Sequence, residues 1–319
     1  MLLLTAAAFA ASSPAQPQGP PDLAHGSAVS GAAEGGGWQA SLDDARWTGS
    51  LLSTSGETLP KGHVYFEPYL YDVISHGRHQ WGSQSYIEYG VADTLTVGMI
   101  PTFALLPGHR NAPVLGGDIK LMAQYRLTHF TAAHRIPSIS LLVREKLPTG
   151  RFDRLARASQ GQGGGVFATE IGVNAQHYLR LENGRLLRLR INLLRSFAGS
   201  TKLHDASIYG TAPRYRGRAH PGDSWSADLA GEYSLTREWV LALDVVYEAT
   251  SRGRIAGQAG SAMPVRKATL ASSSDYAIAP AVEYNMSALA GVIFGVRIIP
   301  KRHNASGSIT PAIAYSKAW

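Results

Sequence analysis

The chain has 319 residues, of which 45% are apolar and 17% charged, with 34 Gly and a formal net charge of +7. That length and apolar content suit one large ordered domain; a basic balance suits polyanions or membrane surfaces, but Lys and Arg are spread along the chain without any nucleic-acid-binding signature, so no nucleic-acid partner is expected. Cysteine is absent, which excludes disulfides, thiolate metal sites and cysteine nucleophiles.

In chain order, Leu2–Ala11 is a short apolar run followed by small-residue sites at Ala8-Phe9-Ala10 and Ser13-Pro14-Ala15. This reads as a signal peptide over 1–15. Residues 16–45 are rich in Pro, Gly, Ser and Ala and read as a disordered segment. No other stretch has the roughly eighteen apolar residues of a membrane helix.

From residue 62 the dominant signal is a period of two, the mark of strands. Val64, Phe66, Pro68 and Leu70 oppose Tyr65, Glu67, Tyr69 and Tyr71. Ile119, Leu121, Ala123 and Tyr125 oppose Asp118, Lys120, Gln124 and Arg126. Ile139, Leu141 and Val143 oppose Ser138, Ser140 and Arg144; Leu187, Leu189 and Ile191 oppose Arg188, Arg190 and Asn192. Trp225 and Leu229 oppose Asp228 and Glu232, Leu241 and Leu243 oppose Asp244, and Ile278 and Val282 oppose Glu283. About twelve strands are predicted, at 62–74, 80–90, 94–103, 115–127, 136–147, 164–178, 185–198, 222–234, 238–250, 274–285, 287–299 and 303–319. Short links such as 91–93 and 181–184 alternate for the most part with long ones such as 148–163, 199–221 and 251–273.

Apolar faces often end in aromatics: Trp239 with Tyr247, Tyr276 with Tyr284, Tyr315 with Trp319. Aromatic girdles around an apolar stripe, an even strand count and short turns opposite longer loops match a transmembrane barrel. In lipid every backbone amide must be paired within the protein, so a strand protein crosses only as a closed barrel. The fold class expected is therefore all-β: a transmembrane antiparallel up-and-down barrel over 46–319, in the outer membrane of a Gram-negative bacterium. Trp319 then closes the last strand facing lipid and resembles the C-terminal signature read by the barrel-assembly machinery.

Five stretches carry a resemblance to a family: Thr58–Tyr69 (TLPKGHVYFEPY), Glu88–Asp93 (EYGVAD), Gly116-Gly117-Asp118 with Tyr125, LPTGRF from Leu147, and PAVEYN from Pro280. In this order the chain resembles the outer-membrane "meta-pathway of phenol degradation" family. The resemblance implies a transporter-like barrel for aromatic or other hydrophobic compounds. It brings no catalytic or binding residues with it.

The inward candidates are Tyr65, Glu67, Tyr69, Tyr86, Glu88, Asp118, Lys120, Arg126, Arg144, Arg188, Arg190, Asp228, Asp244, Glu283 and Arg297. Acids and bases on adjacent strands give either a field across a pore or ion pairs between neighbouring strands, and the second is the simpler reading. The tyrosines give either a stacking track for aromatic solutes or packing. His204 and Ser207 invite comparison with outer-membrane phospholipase, but the spacing departs from that motif and falls in a long link, so no enzyme activity is expected. No metal-ligand spacing, phosphate loop or cofactor motif is present. Arg214, Arg216, Arg218 and His220 lie in a long link, where they either meet lipopolysaccharide phosphates or are simply solvated. The expected function is passive passage of small hydrophobic or aromatic solutes; the alternative is a structural or surface-interaction barrel.

Overall fold

The alternating segments form strands that pair only with neighbours. In the computed structural model, which describes residues 45–105, 114–131, 135–156, 160–260, 264–301 and 307–319, the first strands are β1 (Val64–Ser75), β2 (Arg78–Ala92), β3 (Leu95–Ile100), β4 (Thr102–Leu105), β5 (Val114–Gly116) and β6 (Ile119–Thr128). Next come β7 (Ser138–Leu147), β8 (Ala168–Arg180), β9 (Leu186–Ala198), β10 (Thr201–His204), β11 (Tyr215–His220) and β12 (Ser224–Ser234). The last are β13 (Trp239–Thr250), β14 (Gly253–Ala259), β15 (Arg266–Leu270), β16 (Ser273–Tyr284), β17 (Ala290–Ile299) and β18 (Ser308–Ala318). The predicted signal peptide lies outside the described residues.

Pairing is antiparallel throughout and closes on itself, because β1 pairs with both β2 and β18. Pro101 separates β3 from β4, and Gly117-Asp118 separates β5 from β6, so each of these pairs forms one interrupted wall strand. The result is a closed barrel of twelve strands, as the period-two pattern predicts. Trp319 N–H donates to Val64 O at 3.0 Å and Val64 N–H to Trp319 O at 3.3 Å, so the chain end is tied into the closure. The first outer hairpin turns on His76 and Gly77, both with positive φ (50° and 70°), which suits the twist of a two-residue hairpin.

Every predicted apolar stripe faces outward. Leu70, Leu141, Ile191, Leu229, Leu243, Ile278 and Ile313 are exposed while their sequence neighbours are buried. Trp239 stacks on Tyr284 at 4.7 Å, and Tyr247 on Tyr276 at 4.8 Å. The two pairs are eight residues apart along β13, about 26 Å along the strand and about 20 Å along the axis at a tilt of about 40°. That spacing matches the apolar band of a membrane barrel.

Two features were not in the sequence expectation. Residues 46–59, counted with the barrel in the sequence, and Ala45 before them do not enter the wall, which begins at Val64. The links 199–221 and 251–273, read as loops, contain strands. β10, β11, β14 and β15 form a separate four-stranded sheet that continues β9, β12, β13 and β16 beyond the rim. Pro221 and Gly222 (φ 88°) mark the break between β11 and β12.

Candidate functional site

Residues 45–59 form a strap inside the barrel, buried almost throughout: Thr48, Leu51, Ser53 and Leu59 have no exposed surface. The strap has no period two and makes no strand, so its amide groups must find partners elsewhere. They find inward side chains of the wall. Thr48 and Gly49 N–H donate to Glu283 at 2.7 and 3.2 Å. Leu51 and Ser53 N–H donate to the two oxygens of Asp244, each at 3.0 Å. Asn192 accepts from Thr54 N–H at 2.7 Å and returns a bond to Thr54 O at 2.9 Å. Arg190 donates to Ser53 O at 2.8 Å, and Gln124 to both Ser55 O and Glu57 O at 2.9 and 2.8 Å. Leu59 N–H ends the series on Thr96 at 2.8 Å. From Thr48 to Leu59 the strap thus meets β16, β13, β9, β8, β6 and β3 in order along the inner wall.

The strap also brings its own side chains. Glu57 takes Arg126 at 2.7 Å, lies 3.2 Å from His129 and bonds the Ser138 hydroxyl. Trp47 lies under the Arg188 guanidinium at 4.7 Å and edge-on to Tyr178. Leu51 joins an apolar cluster in the bore with Tyr69, Tyr71, Tyr86, Ile100, Met122 and Leu142. Within it Tyr69 and Tyr86 meet edge to face at 6.1 Å.

Of the fifteen predicted inward residues all are buried except Lys120 and Arg126, which are half-buried. Tyr65, Glu67, Tyr69, Tyr86 and Glu88 are buried on β1 and β2. Arg188 and Arg190 share Glu232, the Arg190 contact measuring 2.9 Å, and all three side chains are at most 1% exposed. Arg144 and Lys120 share Glu170 at 2.8 and 3.6 Å, and Arg297 pairs with Glu248 at 2.6 Å. Asp228 is buried on β12. Asp118 accepts the amides of Gly150 and Gly164 at 3.0 and 2.7 Å, holding the 148–167 link at the mouth. The inward bases therefore pair with acids on other strands or on the strap, while Asp244 and Glu283 hold strap amides and Arg190 also holds a strap carbonyl. Sequence reasoning missed the strap's wall partners Asn192, Gln124 and Gln176, and the strap's own Glu57. The available signal was the row of neutral amides at inward positions, Gln84, Gln124, Asn174, Gln176 and Asn192, which are suited to a peptide backbone rather than to ions.

The His204–Ser207 pair does not assemble into a nucleophile and base. His204 lies 3.3 Å from Asp153, but Ser207 Oγ bonds the Thr211 hydroxyl at 2.7 Å and accepts Tyr209 N–H.

A crystal structure of an outer-membrane channel from Pseudomonas putida F1 superposes with a TM-score of 0.55 at 14% identity, over 82% of this chain and 97% of that one. The NanC porin (TM-score 0.45, 9% identity, 78% and 98%) and the Pseudomonas putida toluene transporter TodX (0.39, 12%, 81% and 90%) are more distant. No family model and no curated protein matches the chain. The chain is an outer-membrane β-barrel. Its even strand count puts both ends of the wall on one side of the barrel, the side of the short turns, which in such barrels is the periplasmic one.

Proposed function

We propose that this barrel is a passive channel for small hydrophobic or aromatic solutes, and that its own strap gates it. The observation that carries the reading is the contrast inside the bore. Much of the interior is polar or charged, but Leu51 and the wall residues Tyr69, Tyr71, Tyr86, Ile100, Met122 and Leu142 belong to one apolar cluster. An aromatic solute gains nothing from paired ions; against tyrosine rings it gains dispersion and edge-to-face contacts. The strap both occupies that patch, through Leu51, and crosses the bore below the mouth. Wall side chains hold it by hydrogen bonds to its main chain and by contacts of Trp47, Leu51 and Glu57, all non-covalent, a latch that opens without breaking the barrel. Displacement of Leu51 then exposes the patch and clears the way, and the concentration gradient drives passage without a cofactor.

The resemblance of Thr58–Tyr69 to the "meta-pathway of phenol degradation" family supports aromatic solutes, since this stretch joins the strap to β1. The Pseudomonas putida neighbour is a channel, which supports passage in general. The test is uptake of a labelled monoaromatic compound by cells with and without the protein, beside a hydrophilic solute of equal size. Faster uptake of the aromatic alone is expected. Equal uptake in both strains would favour the structural-barrel alternative.

A further inference from the structure

The net charge of this chain is not spread along it, as the sequence first suggests. The outer segments 148–167, 199–223 and 251–273 hold eleven Lys and Arg against three Asp and no Glu. Their excess of eight exceeds the +7 of the whole chain, so everything else is nearly balanced. The sheet β10-β11-β14-β15 sorts these charges by face. Leu203, Ala219, Ile255 and Leu270 alternate onto one side and pack with Leu155, Ile208 and Tyr209. On the other side the register aligns Lys202 with Arg218, Ala256 and Lys267, His204 with Arg216 and Gln258, and His220 with Arg254.

Lys202, Arg216, Arg218, Arg254 and Lys267 are all exposed, and none has a side-chain ion pair or hydrogen bond among the described residues. Unpaired like charges aligned on neighbouring strands repel and destabilise a sheet. A fold that aligns them across four strands has a use for an anionic partner. The apolar face is tied to the mouth: Tyr209 Oη donates to Gly164 O at 2.5 Å, and Gly164 N–H binds Asp118. The basic face therefore lies on the side of the sheet away from these mouth loops. Just below it, on the lipid-facing wall, Arg195 stacks over Trp225 and Phe197 at 4.8 and 5.4 Å, which marks the outer headgroup level.

The geometry points to this face as a docking surface for the phosphate groups of lipopolysaccharide in the outer leaflet. Guanidinium groups form bidentate bonds to phosphate; β11 and β14 carry Arg216, Arg218 and Arg254, with Lys202 and Lys267 on the flanking strands β10 and β15, on a sheet whose strands lie about 5 Å apart, close enough for one multiply phosphorylated headgroup to meet several. Each cation near an anionic surface adds a modest increment, and together they hold a shell of lipid around the outer sheet.

The test measures binding of phosphorylated lipid A and of enzymatically dephosphorylated lipid A to the full-length refolded protein, without divalent cations. It compares the wild type with a combined Arg216→Gln, Arg218→Gln, Arg254→Gln, Lys267→Gln variant whose folding is checked by heat-modifiable gel migration. The wild type should prefer the phosphorylated lipid by at least about tenfold, lose that preference in high salt, and lose it in the variant. Equal binding of the two lipids by the wild type would overturn the proposal, and so would an unchanged preference in the folded variant. If the variant instead shifts only the anion selectivity of conductance, the face serves solutes at the mouth and the lipid proposal fails. Each outcome is read from lipid binding or ion selectivity, independently of whether aromatic solutes pass.

Discussion

Asp244 is the residue whose loss should most directly free the strap. Its two oxygens each accept one strap amide, from Leu51 and Ser53, both at 3.0 Å and fully buried. A hydrogen bond to a charged group contributes about 1.5–3 kcal/mol, so Asp244→Ala removes about 3–6 kcal/mol of strap attachment. Asp244→Asn keeps one acceptor oxygen and should lose about half. At about 1.4 kcal/mol per factor of ten, the alanine variant raises the population with a displaced strap by about a hundredfold or more, and the asparagine variant by about tenfold. Single-channel recording of refolded protein in a planar bilayer reads this as the frequency of open events, and gel migration confirms that each barrel is folded. A graded rise from wild type through Asn to Ala is expected. If folded Asp244→Ala opens no more often than wild type, the latch reasoning is wrong.

Leu189→Arg and Leu243→Arg put a charge on the lipid face at a cost of about 2–4 kcal/mol each and should deplete folded barrel from outer-membrane fractions, whereas Arg190→Gln should leave assembly intact. Glu232→Gln strands Arg188 and Arg190, whose side chains are at most 1% exposed; breaking such a buried cluster costs about 3–5 kcal/mol and should lower the temperature at which the folded gel band is lost. Removing Trp319 deletes two closing main-chain bonds and an interfacial ring and should slow assembly in cells, seen by pulse-chase. Burial, with the Asp118 carboxylate nearby, raises the Tyr209 hydroxyl above its ordinary value. A raised value means the Gly164 bond is complete below the ordinary tyrosine range and is lost as pH climbs through the folded value, so protease access to the 148–167 link should stay flat from about pH 6 to 9 and rise only in stronger alkali.

The wall was legible because lipid and the bore impose opposite demands on alternate residues. Leu189, Arg190, Ile191 and Asn192 can be sorted without knowing any contact. The strap was not, because the wall side chains that hold its amides lie from 37 to 235 residues away in sequence, and main-chain amides are groups that every sequence has. Residues 45–59 differ from the wall only by lacking alternation, and Gly, Ser and Thr there read equally well as a linker. The outer sheet was missed for another reason. Arg216-Gly217-Arg218-Ala219-His220 alternates as faithfully as any wall strand, but its inner positions are small, because the face they form is covered by loop side chains from Leu155, Ile208 and Tyr209. Bulk marks a lipid-facing stripe; a thin sheet under a loop needs little of it. The paired charges of the bore were expected in kind but not in partner, since which acid meets which base depends on register.

The central claim is that solutes pass only when the strap leaves the bore. Ser55 Oγ and Gln176 Oε1 are 3.2 Å apart, and the chain has no cysteine of its own, so Ser55→Cys with Gln176→Cys creates a unique pair joining strap to wall. The decisive measurement is conductance and aromatic uptake of this variant before and after bridging with a short bifunctional thiol reagent, then after reductive release. Bridging should abolish both, and release should restore them. A bridged barrel that still conducts and still admits the aromatic would contradict the account, because the route would then bypass the strap.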